Sequence, residues 1–469
     1  MKKNTIILFC ILFITGSANA NNILVSNATI SGQNTTNHTA LINFGVSWEN
    51  SWRTSTNENN YDGAWIFIKY RKNGTTDWRH ASINVTGNTP SAGAAITVTA
   101  DGKGAFVYRS ANGIGNVNFT ANSLQWNYGV DGILDNETVE ILVYGLEMVY
   151  IPSGSYQLGS GGAESNAFTD GSSALPYLVN SNNAINLGTN AGTLNPNGLG
   201  AASGTIPANF PKGFNAFWIM KYECSQQQYA DFLNNLDLAR ANINKTPSIF
   251  SGTHPALVAP QPERAIGEIG MNRLAAFADW SGLRPYSELE FEKASRGFNT
   301  PAVPNEYAWG NTTLVPVTSI LNDGADDEIV STPVSANANV SNNLPGNRPV
   351  RTGIFARSSG SDRTLSGATY YGVMNMSDNI SETVISMVNA QGKAVDATIH
   401  GDGFLGGDGR TDIAAWQPFQ AFGTRGSAYN GALTNARISD RANANLFAGI
   451  YGSDTNQPNF GIRLARTAP

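Results

Sequence analysis

The chain has 469 residues, 41% hydrophobic and 14% charged, with 49 Gly and a formal net charge of −6. Average globular chains carry about 25% charged residues, so long solvated helices faced with Glu and Lys are excluded, and the lack of a Lys/Arg run excludes the footprint of a nucleic-acid binder. The apolar and aromatic content is enough for a core and excludes a chain disordered throughout.

The first segment, residues 1–20, reads as a secretory signal peptide. Lys2 and Lys3 form a basic start, Ile6 to Ile14 is almost wholly apolar, and Ala18-Asn19-Ala20 is a small-x-small cleavage site. The sequence therefore predicts a protein that is secreted, periplasmic or on the surface of a bacterial cell. Cys10 is lost on cleavage, which leaves Cys224 as the sole thiol. No later stretch approaches the ~20 apolar residues of a transmembrane helix.

Residues 21–144 read as an all-β sandwich domain. Leu41–Trp48, Trp65–Tyr70, Ala95–Thr99, Ala105–Tyr108, Val117–Thr120 and Val139–Tyr144 are short strand-like runs separated by turn pairs such as Asn73-Gly74 and Asp101-Gly102. This module carries no nucleophile or metal cluster and reads as a spacer or presentation unit.

Residues 145–469 read as loop-rich α+β. A Gly/Ser/Asn-rich surface insertion is expected near 160–211. Three helices are predicted: one capped by Ser225 with Tyr229, Phe232 and Leu233 on one face, one over Asn272–Trp280 ended by Gly282, and one opened by a Ser287/Glu290 capping box and closed by Gly297.

A series of ordered motifs runs through this second region. They include Met148–Gly159, Lys221–Tyr229, Gly282–Gly297, Tyr307–Asn311, Tyr371–Glu382, Arg425–Tyr429 and Gly461–Arg466. Together they resemble the sulfatase-modifying factor, or formylglycine-generating enzyme, family. That resemblance implies a loop-rich fold related to C-type lectins. It also implies that Arg284, Glu290, Arg296, Arg425 and Arg463 are buried and structural.

The resemblance further implies where chemistry belongs. Oxidase members of the family place a copper-binding cysteine pair between the motifs that match Arg425–Tyr429 and Gly461–Arg466. Here that interval contains no Cys, so copper is not expected. A Ser439, His400 and Asp402 arrangement can be written down but has no diagnostic spacing. A structural calcium ion is the cofactor the resemblance implies, with Asn379 and Glu382 as side-chain ligands and Ile380 through its carbonyl. Asp378 replaces the usual Gly of that turn. The acidic stretch Asn322–Glu328 is either a second ion loop or a solvated turn.

Two functions are consistent with these residues. The first is a non-catalytic binding or scaffold protein of the cell envelope, built on a degenerate sulfatase-modifying-factor fold. It would bind a protein or glycan at the cell surface through loops such as Gly401–Gly409 and Trp416–Phe422. The second is an oxidase or another peptide- or small-molecule-modifying enzyme that uses no cysteine.

Overall fold

A computed structural model describes residues 23–246, 249–298, 300–356, 362–449 and 455–469. The expected signal peptide, residues 1–20, lies outside them. Eight strands, one of them only two residues long, run through the described N-terminal third of the chain: β1 (Leu24–Asn34), β2 (Thr39–Arg53), β3 (Asp62–Lys72), β4 (Arg79–His80), β5 (Ala94–Val98), β6 (Ala105–Arg109), β7 (Gly113–Trp126) and β8 (Val139–Ile151). Strand β2 alternates as a half-buried strand should, with Ile42, Phe44, Val46 and Trp48 all inward. Strand β3 does not alternate. Ile66, Ile68 and Tyr70 join the cluster that β2 faces, while Trp65 and Phe67 join the larger core on the other side. An unbroken apolar run from Trp65 to Ile68 is what two-sided burial requires.

The order β1-β2-β7 makes a three-stranded antiparallel sheet. A larger, seven-stranded sheet runs Ala465–Thr467, Phe217–Met220, β8, β3, β6, β5, with β4 added on β3. Strand β8 joins the N-terminal strands of this sheet to the later ones. It pairs with β3 from Val139 to Val149 and with Phe217–Met220 from Met148 to Ile151. The domain boundary expected at 144/145 thus falls inside one continuous strand. The junction is closed by charge as well. Lys221 Nζ reaches Asp62 Oδ2 at 3.1 Å and Glu147 Oε2 at 3.0 Å, with all three side chains buried.

The four longest described helices are α1 (Gln226–Asn235), α2 (Leu238–Asn244), α3 (Met271–Trp280) and α4 (Glu288–Arg296). Helices α1 and α4 open with complete capping boxes, Ser225 with Gln228 and Ser287 with Glu290. Gly282 and Gly297 adopt φ of 70° and 91° just beyond α3 and α4, a region that disfavours side chains. Tyr229, Phe232, Leu233, Leu274 and Phe277 meet in the main core.

The stretch expected as a surface insertion is more built-in than its composition suggests. It forms a four-stranded sheet from Thr169–Asp170, Leu194–Asn195, Ile185–Leu187 and Gly204–Ile206. Phe168, Ile185, Leu187, Leu194, Ile206 and Phe210 are buried in the main core, while Leu175 and Leu178 stay exposed. Sparse apolar residues suffice when each short strand points one of them inward. Near the C-terminus, Ser381–Ile385 lies between Phe422–Arg425 and Phe460–Gly461. No described helix is long and apolar enough to cross a membrane. The chain is sheet-rich with few, short helices, in keeping with α+β.

Candidate functional site

The turn that carries Asn379, Ile380 and Glu382 is fully buried. Asn379 has φ of 67°, and Asn tolerates this left-handed region better than most residues. The neighbouring Asp378 does not share that geometry, so it replaces Gly without backbone strain. It serves as an acceptor: Oδ2 takes the Asn339 N–H at 2.7 Å and Oδ1 takes the Asn375 amide at 3.2 Å. Burial pushes its pKa up to about 7.

Glu223, from the segment before α1, clamps the turn from the other side. Its Oε2 accepts from Asn379 Nδ2 at 2.6 Å and its Oε1 from the Ile380 N–H at 3.0 Å. Glu382 accepts from Arg463 Nε at 2.6 Å and from the Tyr286 hydroxyl. Arg463 spends its remaining nitrogens on the carbonyls of Met220 and Met374, each at 2.7 Å. The knot therefore holds three carboxylates and one guanidinium. Burial raises the pKa of Glu223, Asp378 and Glu382 alike.

These oxygens do not form a calcium shell. Both Glu382 oxygens are taken by Arg463 and Tyr286, and Asn379 Oδ1 accepts from the Val350 N–H at 2.8 Å and Asn339 Nδ2 at 3.3 Å. Asn339 Oδ1 is the buried oxygen of this knot left without a donor. Calcium needs six to eight oxygens. As folded, the side-chain oxygens of Asn379 and Glu382 are engaged by protein donors, and Arg463 supplies a cation beside Glu382.

The interval from Arg425 to Arg463 is equally committed to internal bonds. Arg425 reaches Glu288 at 3.2 Å and Glu292 at 2.9 Å, and Arg441 reaches Glu288 at 2.8 Å. Ser427 Oγ donates to the Ala432 carbonyl at 2.9 Å. Ser439 Oγ accepts from Arg296 at 2.8 Å and lies 3.4 Å from Glu292. Ser439, His400 and Asp402 do not come together as a triad. His400 Nε2 accepts from the Thr467 N–H at 3.1 Å, and Asp402 Oδ1 accepts from the Phe404 N–H at 2.8 Å. Burial and the nearby Arg466 and Arg284 pull the His400 pKa down to about 2, which makes the imidazole a neutral, weak base. Cys224 is buried, and burial pushes its thiol pKa well up.

The family of sulfatase-modifying factor enzyme 1-like domains matches residues 144–468. The chain belongs to that family. No curated protein matches it. Family membership accounts for the buried arginines: Arg284 pairs with Glu290 at 2.7 Å and Arg296 with Glu306 at 2.5 Å, all inaccessible to solvent or nearly so. The expected structural role of Arg284, Glu290, Arg296, Arg425 and Arg463 is the one seen.

Two other expectations resolve differently. In the acidic stretch 322–328, Asp323 pairs with Arg264 and Arg348, and buried Glu328 pairs with Arg264 at 3.1 Å. The loop is cross-braced by arginine. In the loop 416–422, Trp416 and Phe422 are buried and present no ring to a ligand.

Sequence reasoning missed one carboxylate group. Asp279 of α3, Asp402 and Asp412 place one oxygen each within 4.8 Å of one another. Asp279 is satisfied by Thr411 Oγ1 at 2.6 Å and the Asp402 N–H at 3.1 Å. Burial and the two neighbouring carboxylates push its pKa up to about 7. Hard oxygens of this kind suit calcium or magnesium. Residues 123 and 133 positions apart leave no local signal that could have found them.

Proposed function

We propose that this is a secreted, non-catalytic binding or scaffold protein of the cell envelope, in which a sulfatase-modifying-factor domain with a C-type-lectin-like framework carries an N-terminal β-sandwich. The observation that carries this reading is the state of the interval 425–463. It has no cysteine, and its Ser427, Ser439, Arg425 and Arg441 are tied into the interior. Copper(I) chemistry on this fold needs soft thiolates, and hydroxyls already bonded inside a charged core do not replace them. The signal-like residues 1–20 support export. The ligand class is a protein or glycan at the cell surface.

Metal analysis of the purified protein tests this directly. The expected result is no copper and no iron near one equivalent per chain. Stoichiometric copper or iron would overturn the reading in favour of an oxidase.

A further inference from the structure

Asp62 of β3, Glu147 of β8 and Lys221, just past Phe217–Met220, meet where the N-terminal strands join the family domain, and all three are buried. Lys221 Nζ lies 3.1 Å from Asp62 Oδ2 and 3.0 Å from Glu147 Oε2, with the ring centres of Trp52 and Tyr222 at 5.0 and 5.4 Å. The two carboxyl groups are not equivalent. Asp62 Oδ1 accepts from the Ser51 hydroxyl at 2.8 Å and from the Trp52 N–H at 3.0 Å, and its Oδ2 accepts from Trp48 Nε1 at 3.0 Å. Glu147 Oε1 is buried and has no donor among the described residues.

Charges in a dry site are costly to keep, since each ion has lost its water. An amine held against a carboxyl group there can shed that cost by condensing with it to an amide. Proximity supplies the encounter. Donors on the carbonyl oxygen stabilise the oxyanion of the tetrahedral intermediate, and a second carboxyl group moves the protons. The Ser51 hydroxyl and the Trp52 N–H already sit on Asp62 Oδ1, which singles out Asp62 as the electrophile and leaves Glu147 as the relay. Burial pushes the Glu147 pKa up to about 8, so near neutral pH it holds a proton to give. Lys221 starts as the ammonium: burial opposes its charge, but Tyr222, Glu147 and Asp62 outweigh burial and hold its pKa well up. A proton must therefore leave Nζ through a carboxyl group before Nζ can attack.

We propose that Lys221 and Asp62 condense to an intramolecular isopeptide bond, with Glu147 as the proton relay. Nζ forms a bond to Asp62 Cγ, and the Cγ–Oδ2 bond breaks. Nζ gives up two protons, which Glu147 passes to Oδ2, and Oδ2 departs as water while Oδ1 stays as the amide oxygen. One ammonium and one carboxylate become one neutral amide, Glu147 ends as it began, and nothing is oxidised or reduced. The bond ties β3 to the segment after Phe217–Met220, across the boundary between the N-terminal strands and the family domain. Cys224 is free, so no disulfide does this work. The site is separate from the interval 425–463 and stands whether or not that interval has chemistry.

Mass spectrometry of the purified full chain, first intact and denatured, then digested with trypsin, tests the proposal. The chain should be lighter by one water than the sequence from its own N-terminus. Trypsin should release residues 54–69 joined to residues 213–240 as one branched peptide, because an acylated Lys221 is no longer a cleavage site. Glu147→Gln keeps the size of the side chain but cannot relay protons, and should restore both the full mass and cleavage after Lys221. A circular dichroism spectrum matching the wild type would show that this variant is folded. A wild-type chain of full mass, cut after Lys221, would overturn the proposal and needs no variant. A branched peptide joining Lys221 to the segment that carries Glu147 would also overturn it, as would an undiminished bond in Glu147→Gln.

Discussion

Arg463 and Glu382 meet where neither side chain reaches solvent. A charge pair of this kind contributes through geometry, since each ion has lost its water. Arg463 also holds two carbonyls, so its removal strands a carboxylate and two acceptors together. Arg463→Ala is expected to cost about 3–5 kcal/mol, read as a lowered urea midpoint. Adding Glu382→Leu should return part of that loss, because the Glu382 carboxylate is then no longer stranded without its guanidinium. His400 makes a different prediction. Its folded pKa is depressed to about 2, against about 6.5 in an unfolded chain. Its contribution is thus present above pH 6.5 and lost as pH falls below it, at up to about 1.4 kcal/mol per pH unit. His400→Gln should reduce the acid-side slope of unfolding free energy by about that amount. An unchanged slope would show that the imidazole is protonated in the fold.

At the scale of elements, β8 carries the most weight. It pairs with β3 of the N-terminal part and continues unbroken into the family domain. A chain starting at residue 145 would lose β3, the strand that pairs with eleven residues of β8, and would leave Lys221 beside Glu147 without Asp62. Such a chain is expected to show no cooperative thermal transition; a sharp transition would mean that the two parts fold independently. The helices were legible in the sequence because capping is local: Ser225 with Gln228 and Ser287 with Glu290 lie three residues apart. The run Trp65–Tyr70 was legible as a strand for the same reason. The shared sheet was not, since pairing Phe217 with Ile151 is a long-range event with no local trace. The buried strands within 160–211 were hidden by their Gly and Asn content. The calcium expectation at Asn379, Ile380 and Glu382 failed to anticipate Arg463 and Glu223. Both occupy that turn from segments 80 or more residues away.

At the scale of the whole molecule, low charge is now easy to place. Many of the charges this chain does carry are inside it, on Glu223, Arg284, Glu288, Glu290, Glu292, Arg296, Glu382, Arg425, Arg441 and Arg463. They pin irregular loops that helices and strands do not hold. Within the interval 425–463, which has no thiol, Arg425, Ser427, Ser439 and Arg441 are bonded to the interior. The most direct test is to incubate the purified protein, with copper(I) and air, with a peptide carrying the cysteine motif of a sulfatase, and to follow the peptide by mass spectrometry. The expected result is an unchanged peptide, with cysteine recovered in full. Conversion of that cysteine to formylglycine would contradict the account at its centre.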